Sequence, residues 1–299
     1  MSIELTAAAN FLATHARALD RHRFRTVLGS APEPALAALE AYRNPDGGYG
    51  WGLEPDLRSP ESQTGPALHA FEVFAEAAGA REPTASHRAV ELCDWLETVT
   101  LPDGGLPFAL PVGDPAGCAP FWVNADPTTS SLQISAIVAE NARRVAAHHP
   151  GVAAHPWLAR VTEYCLSTIG ELEGRPHALV LAFAVRFLDV TAATRPEAVE
   201  ALERLRDFIP EDGLVRVDGG AENEVLRPLD FAPLPGTPAR SLFTRRVVDA
   251  ELHRLAAEQR QDGGWPVDFA SYSPAAALEW RGYATVRAVS TLRRNGMLS

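Results

Sequence analysis

Three short stretches of this 299-residue chain hold side chains able to do chemistry. Residues 51–62, WGLEPDLRSPES, set Glu54, Asp56 and Glu61 beside Arg58. Carboxylates at that density suit Mg2+, which would serve a diphosphate; the other reading is a solvated loop. Residues 227–240, RPLDFAPLPGTPAR, are proline-rich and are bracketed by Arg227, Arg240, Arg245 and Arg246. Guanidinium forks fit a diphosphate, although surface acids would satisfy them equally. Residues 124–129, NADPTT, place Asp126 before a proline, as at a helix N-cap. A cap there would start a helix over 127–147.

Other chemistries are excluded by what the sequence lacks. All 27 basic residues are arginine, so there is no Schiff-base or P-loop lysine. Neither a Gly-x-Ser-x-Gly elbow nor a dinucleotide fingerprint is present. Cys93, Cys118 and Cys165 form no Cys-x-x-Cys pair, and His148, His149, His155 and His177 show no ligand spacing, so no metal centre is expected. The formal charge of −11 disfavours nucleic acid and an anionic membrane surface. There is no apolar run of transmembrane length, and residues 1–5 lack the basic-then-apolar order of a secretory signal. With this cysteine usage the expected compartment is the cytoplasm.

The elements that must position these residues come from an internal repeat. Leu39, Leu96, Leu166, Leu205 and Leu255 are each followed seven positions later by an acid and then glycine: Asp46, Asp103, Glu173, Asp212 and Asp262. Helical periodicity flanks these points over 5–18, 33–42, 66–78, 89–99, 131–146, 157–169, 178–188, 198–208, 242–257 and 275–292. Capping residues before a proline (Ser62 and Thr64, Asp126, Ser273) mark helix starts. No alternation long enough for a sheet appears. The repeat unit is helix, Gly-rich turn, helix. Five or six such hairpins would close into an all-α (α/α) toroid, a single domain over 1–299, with residues 227–240 as a lid or a degenerate repeat.

Residues 259–265, QRQDGGW, resemble the QW repeat of squalene–hopene and oxidosqualene cyclases, and DGGY at 46–49 and DGGL at 103–106 resemble weaker copies. Protein prenyltransferase β-subunits share the toroid, but their Asp-Cys-His zinc set is not matched here. The resemblance spans about residues 30–295 and implies an α/α barrel. NADPTT is similar to the Asp-x-Asp-Asp-Thr motif of class II terpene cyclases, in which the middle acid protonates an alkene or epoxide. That resemblance puts the catalytic acid at Asp126, with Asn124 in place of the first Asp and Pro127 in place of the third. It also implies a cavity whose aromatic faces stabilise carbocations. Trp51, Phe121, Trp122, Phe231 and Trp280 are the candidates for it, and Arg240 and Arg245 for a diphosphate. Trp265 reads as a gap filler between hairpins.

The leading expectation is a small class II terpene cyclase-like enzyme acting on an isoprenoid, without a cofactor unless a diphosphate brings Mg2+. It would work as a homo-oligomer or with a second subunit. The alternatives are a non-catalytic isoprenoid-binding or assembly protein on the same scaffold, and a carbohydrate-active α/α lyase or hydrolase.

Overall fold

The computed structural model describes residues 3–78 and 83–298. In chain order its helices are α1 (Leu5–His15), α2 (Ala18–Val27), α3 (Glu33–Leu39), α4 (Thr64–Ala77), α5 (Pro83–Val99), α6 (Pro120–Val123), α7 (Leu132–Ala146), α8 (Pro150–Ala153), α9 (Pro156–Gly170), α10 (Ala178–Thr191), α11 (Glu197–Arg206), α12 (Pro228–Phe231), α13 (Arg245–Ala257) and α14 (Pro274–Arg294). Their periodicity follows the sequence closely, apart from α2 and the four-residue helices α6, α8 and α12, which no expected segment covers. The expected helix over 5–18 ends at His15, and α2 comes after it as a separate helix. Its core face holds Asp20 and Arg23 beside Leu19 and Phe24, so charge hides the apolar stripe. A two-residue antiparallel ladder, Val215–Arg216 with Val225–Leu226, is the one sheet among the described residues.

Three of the five turns share one wiring. The N–H groups of Asn44, Leu101 and Arg260 each donate to the carbonyl of the second turn glycine, at 2.9 Å. Asp46, Asp103 and Asp262 accept the N–H of Gly48, Gly105 and Gly264 at 2.9–3.0 Å. The first glycines, Gly47, Gly104 and Gly263, have φ of 92°, 94° and 91°, where a side chain is strained. They also lie close against a helix backbone. A Cβ on Gly47 would sit 3.0 Å from the Glu91 carbonyl in α5, one on Gly104 3.1 Å from that of Arg160 in α9, and one on Gly263 2.1 Å from that of Ala7 in α1. The next apolar residues, Tyr49, Leu106 and Trp265, are fully buried. Asp212 retains only the local bond, to Leu214 N–H. Gly174 has positive φ but nothing near a Cβ, so the copy at Glu173 is a turn without the packing.

The same aspartates tie each turn to the long helix after it. Asp46 accepts the Ser62 hydroxyl at 2.8 Å and Asp103 the Ser130 hydroxyl at 2.6 Å, just before α4 and α7 respectively. Asp262 instead holds the Arg281 guanidinium of α14 through both oxygens, at 2.8 and 2.9 Å.

The helices gather into two compact units, Ala31–Leu172 and Met1–Ser30 with Glu173–Ser299. In the first, α4 and α7 pack on each other and are buried along most of their length, with α3, α5, α8 and α9 against them. In the second, α14 packs on α1, α2 and α13, and α10 on α11 and α12. Among the described residues no helix is long and apolar enough to cross a membrane. The three cysteines are free and buried.

Candidate functional site

The densest polar chemistry is in the unit Ala31–Leu172, where two loops meet over the start of α4. The loop after the first turn, residues 50–63, is not solvated. Leu53, Glu54, Asp56, Leu57 and Ser59 are all buried. Glu54 points at His69, one turn into α4, with 3.0 Å between Glu54 Oε2 and Nε2. Glu72 closes on Nδ1 at 3.2 Å, because residues three apart share a helix face. Burial alone would lower the His69 pKa, but hydrogen bonds to Glu54 and Glu72, reinforced by their charges, raise it to about 9. The imidazolium is the stable form at neutral pH, held between two carboxylates. Sequence reading passed over His69, since a lone histidine among alanines carries no motif; Glu54 and Glu72 at 15 residues before and three after it form no recognisable spacing.

The proposed Mg2+ cluster does not assemble. Glu54 is engaged by His69 and by the Asp56 N–H, and the exposed Glu61 bonds the Ser59 hydroxyl. Among the described residues no three His, Cys, Asp or Glu side chains are arranged to hold a metal ion.

The second loop, residues 107–131, lies across the first. Ala119 N–H donates to the Asp56 carbonyl at 2.8 Å. Gln63 and Thr64 clasp the segment 108–111: the Thr64 hydroxyl donates to the Phe108 carbonyl at 2.8 Å, and Gln63 Oε1 accepts the Leu110 N–H at 2.8 Å. Three of the loop's rings form a ladder. Phe108 and Trp122 stack with centroids 4.6 Å apart, and Trp122 and Phe121 lie 5.6 Å apart. Gly65 lets the ladder rest on α4, since a Cβ there would lie 2.9 Å from the Trp122 ring. Trp122 is buried while Phe121 is 58% exposed. Trp51, 57% exposed, is the one non-glycine residue with positive φ among those described. Its N–H donates to the Ser59 carbonyl and its indole N–H to Asn44 Oδ1, both at 2.7 Å. Those bonds hold an outlier that ordinarily costs about 1–3 kcal/mol.

Asp126 is exposed, as is Asn124. The Asp126 carboxylate accepts the Thr128 N–H at 2.8 Å, the Thr128 hydroxyl at 2.6 Å and the Thr129 hydroxyl at 2.7 Å. The Thr128 hydroxyl, then its N–H and the Thr129 hydroxyl, hold its pKa below the ordinary carboxylate value. It is not the helix cap expected from Asp126-Pro127. Helix α7 starts at Leu132, and Ser131 caps it by accepting the Ile134 N–H. The Thr-Thr-Ser-Ser run draws the backbone into side-chain-bonded turns first.

The remaining predicted residues lie in the other unit and do not form a comparable cluster. Phe231 is fully buried and 6.0 Å from Phe243, centroid to centroid. Trp280 packs edge-on between Phe269 and Tyr283, at 5.2 and 5.5 Å. Arg240 donates to the Leu234 carbonyl and Asn295 Oδ1, tying the proline-rich segment to the end of α14. Asp189 of α10 accepts the Ala239 N–H at 2.7 Å and Asp230 accepts the Arg287 guanidinium of α14 at 2.5 Å, so residues 227–240 are anchored near both ends. Arg245 is 94% exposed and lies 3.5 Å from Asp249. Trp265 is a gap filler, with its indole N–H on the Leu255 carbonyl.

No protein-family model and no curated protein sequence matches the chain. Among solved structures it is similar to the apo form of the type II terpene cyclase MstE from Scytonema. The TM-score is 0.53 at 15% identity, over 98% of this chain and 88% of that one. That likeness shows the fold: this chain has the all-α hairpin scaffold on which that cyclase is built.

Proposed function

We propose that the protein binds an isoprenoid and, with Asp126 as the acid, protonates one of its alkenes to start cyclisation. The observation that supports this is the likeness to a type II terpene cyclase across nearly the whole chain. An alkene is a very weak base, so the acid must be strong when protonated and must be kept dry. The three hydrogen bonds to Asp126 stabilise its conjugate base and so strengthen the acid. A bound hydrocarbon chain lying over Phe121 and the 124–129 loop would supply the dryness, raising the pKa enough to retain the proton. Asn124 would orient the substrate end of the loop. Trp51, Phe121 and Trp122 would offer ring faces to a cation.

Two observations favour a second reading, an isoprenoid binder without catalysis. Asp126 is ionised and exposed in the free protein. The face of α4 left partly accessible carries Glu72 and Glu76 among Leu68 and Ala75, and carboxylates quench carbocations. With Arg240 engaged and Arg245 in solvent, a neutral isoprenoid such as squalene is the first substrate to test; Mg2+ enters only with a diphosphate. A second copy of the chain could supply the missing cover, and a cytoplasmic setting suits the three free thiols.

The test is incubation with squalene and with C15 to C30 prenyl diphosphates, with and without Mg2+, using wild type and Asp126→Asn, with product analysis and direct binding. Cyclic product from wild type alone supports the enzyme. Equal binding by both proteins without product supports the binder. No binding and no product ends the isoprenoid reading.

A further inference from the structure

The unit Met1–Ser30 with Glu173–Ser299 contains an open cleft of about 1310 Å3, and none of the residues that would bind or protonate the isoprenoid lines it. One wall is the outer side of the Asp262 turn, from Glu258 to Asp262; the others are the loop 266–274 and the first turn of α14. Its lining charges balance in number, Glu258 and Asp262 against Arg260 and Arg281. Asp262 is paired with Arg281, and Glu258 with Arg254. Its apolar lining includes two rings: Tyr272, 48% exposed, and Phe269, which is braced edge-on by Trp280. Its hydrogen-bonding capacity is partly unused. Gln261 is exposed on the lining, whereas Ser271 Oγ, without a partner among the described residues, is closed to solvent.

Three ligand chemistries can be weighed against that lining. An isoprenoid would cover the exposed Gln261 amide without bonding it, a loss of about 1–3 kcal/mol for a buried polar group left unmade. An anion would meet Arg260 and Arg281 but also Glu258 and Asp262, and Arg281 is already neutralised. A neutral polyhydroxylated chain presents C–H faces to aromatic rings and hydroxyls to amides such as that of Gln261. The cleft also has room for several sugar rings, being larger than the roughly 300–1,000 Å3 of a small-ligand pocket. We infer that this cleft binds a neutral oligosaccharide, with Tyr272 as the stacking platform and Gln261 as a hydroxyl partner.

The experiment is calorimetric titration of the full chain with maltohexaose, cellohexaose and xylohexaose. Wild type is compared with Tyr272→Ala, Gln261→Ala and, as a control in the other unit, Phe121→Ala. Circular dichroism verifies the fold of each variant; Tyr272 and Gln261 are exposed, so folding should survive. The expected result is binding of one hexaose, weakened about tenfold or more by Tyr272→Ala and less by Gln261→Ala, as befits loss of one aromatic contact. Phe121→Ala should bind as wild type does. The inference is overturned if no hexaose binds at about 10 mM, or if Tyr272→Ala and Gln261→Ala both retain wild-type affinity. The isoprenoid assay reads the other unit, so either proposal can fail without the other.

Discussion

The loops after the first and second turns start from the same geometry and end in opposite environments. Each comes after an aspartate that accepts its own turn glycine and a serine hydroxyl ahead of the next long helix. The first loop then folds under the second, so Glu54 is buried and meets His69. The second runs over the top, and Asp126 stays in water with its own threonines as partners. The loop with the recognisable motif therefore carries an exposed carboxylate whose pKa is held down by its own threonines, and the loop without one delivers a buried carboxylate that helps to raise the pKa of His69 in α4. Local pattern brings a carboxylate to a position; what covers it decides its chemistry.

The largest effect that could break this contrast is in the buried loop. Glu54→Gln should destabilise the protein by about 3 kcal/mol or more in urea unfolding, because it removes one partner of a buried pair. A loss under about 1 kcal/mol, the range of surface pairs, would mean that Glu54 is not buried against His69. Next is the pH dependence. The folded pKa of His69, about 9, lies above its unfolded value of 6.5. Its stabilisation is thus complete below about pH 6.5 and is lost as pH rises towards 9, at about 1.4 kcal/mol per pH unit at most. His69→Leu should abolish that slope; an unchanged slope would assign it to other groups. Smaller still, Ser62→Ala and Ser130→Ala should each cost about 1 kcal/mol, and by similar amounts, since the two turns are wired alike. A several-fold disparity would show that the turns are not equivalent. Smallest, Asp126→Ala should leave the unfolding midpoint unmoved, whatever it does to activity. A clear destabilisation there would place Asp126 in the framework of the loop.

Much of the fold was legible because its signals are local. The 3.6-residue periodicity located most of the helices, and the leucine-to-acid spacing found the three wired turns at Asp46, Asp103 and Asp262 together with their two weaker copies. Helix α2 was missed where Asp20 and Arg23 occupy core positions, since hydrophobic patterning cannot register a buried ion pair. The candidate site was far less legible. Phe121 and Trp122 are adjacent in the chain and in space, but the ring that stacks on Trp122, Phe108, comes from 14 residues earlier, and no spacing marks the pairing.

By itself, the sequence determined most of the helices, the turn glycines that positive φ requires, and the exclusion of lysine chemistry, because none of these depends on contacts between distant segments. Only the tertiary structure decided which carboxylates are dry. Glu54 and Asp126 look alike along the chain, and their difference is made by segments far from either in sequence, whose packing removes water from one and leaves it on the other.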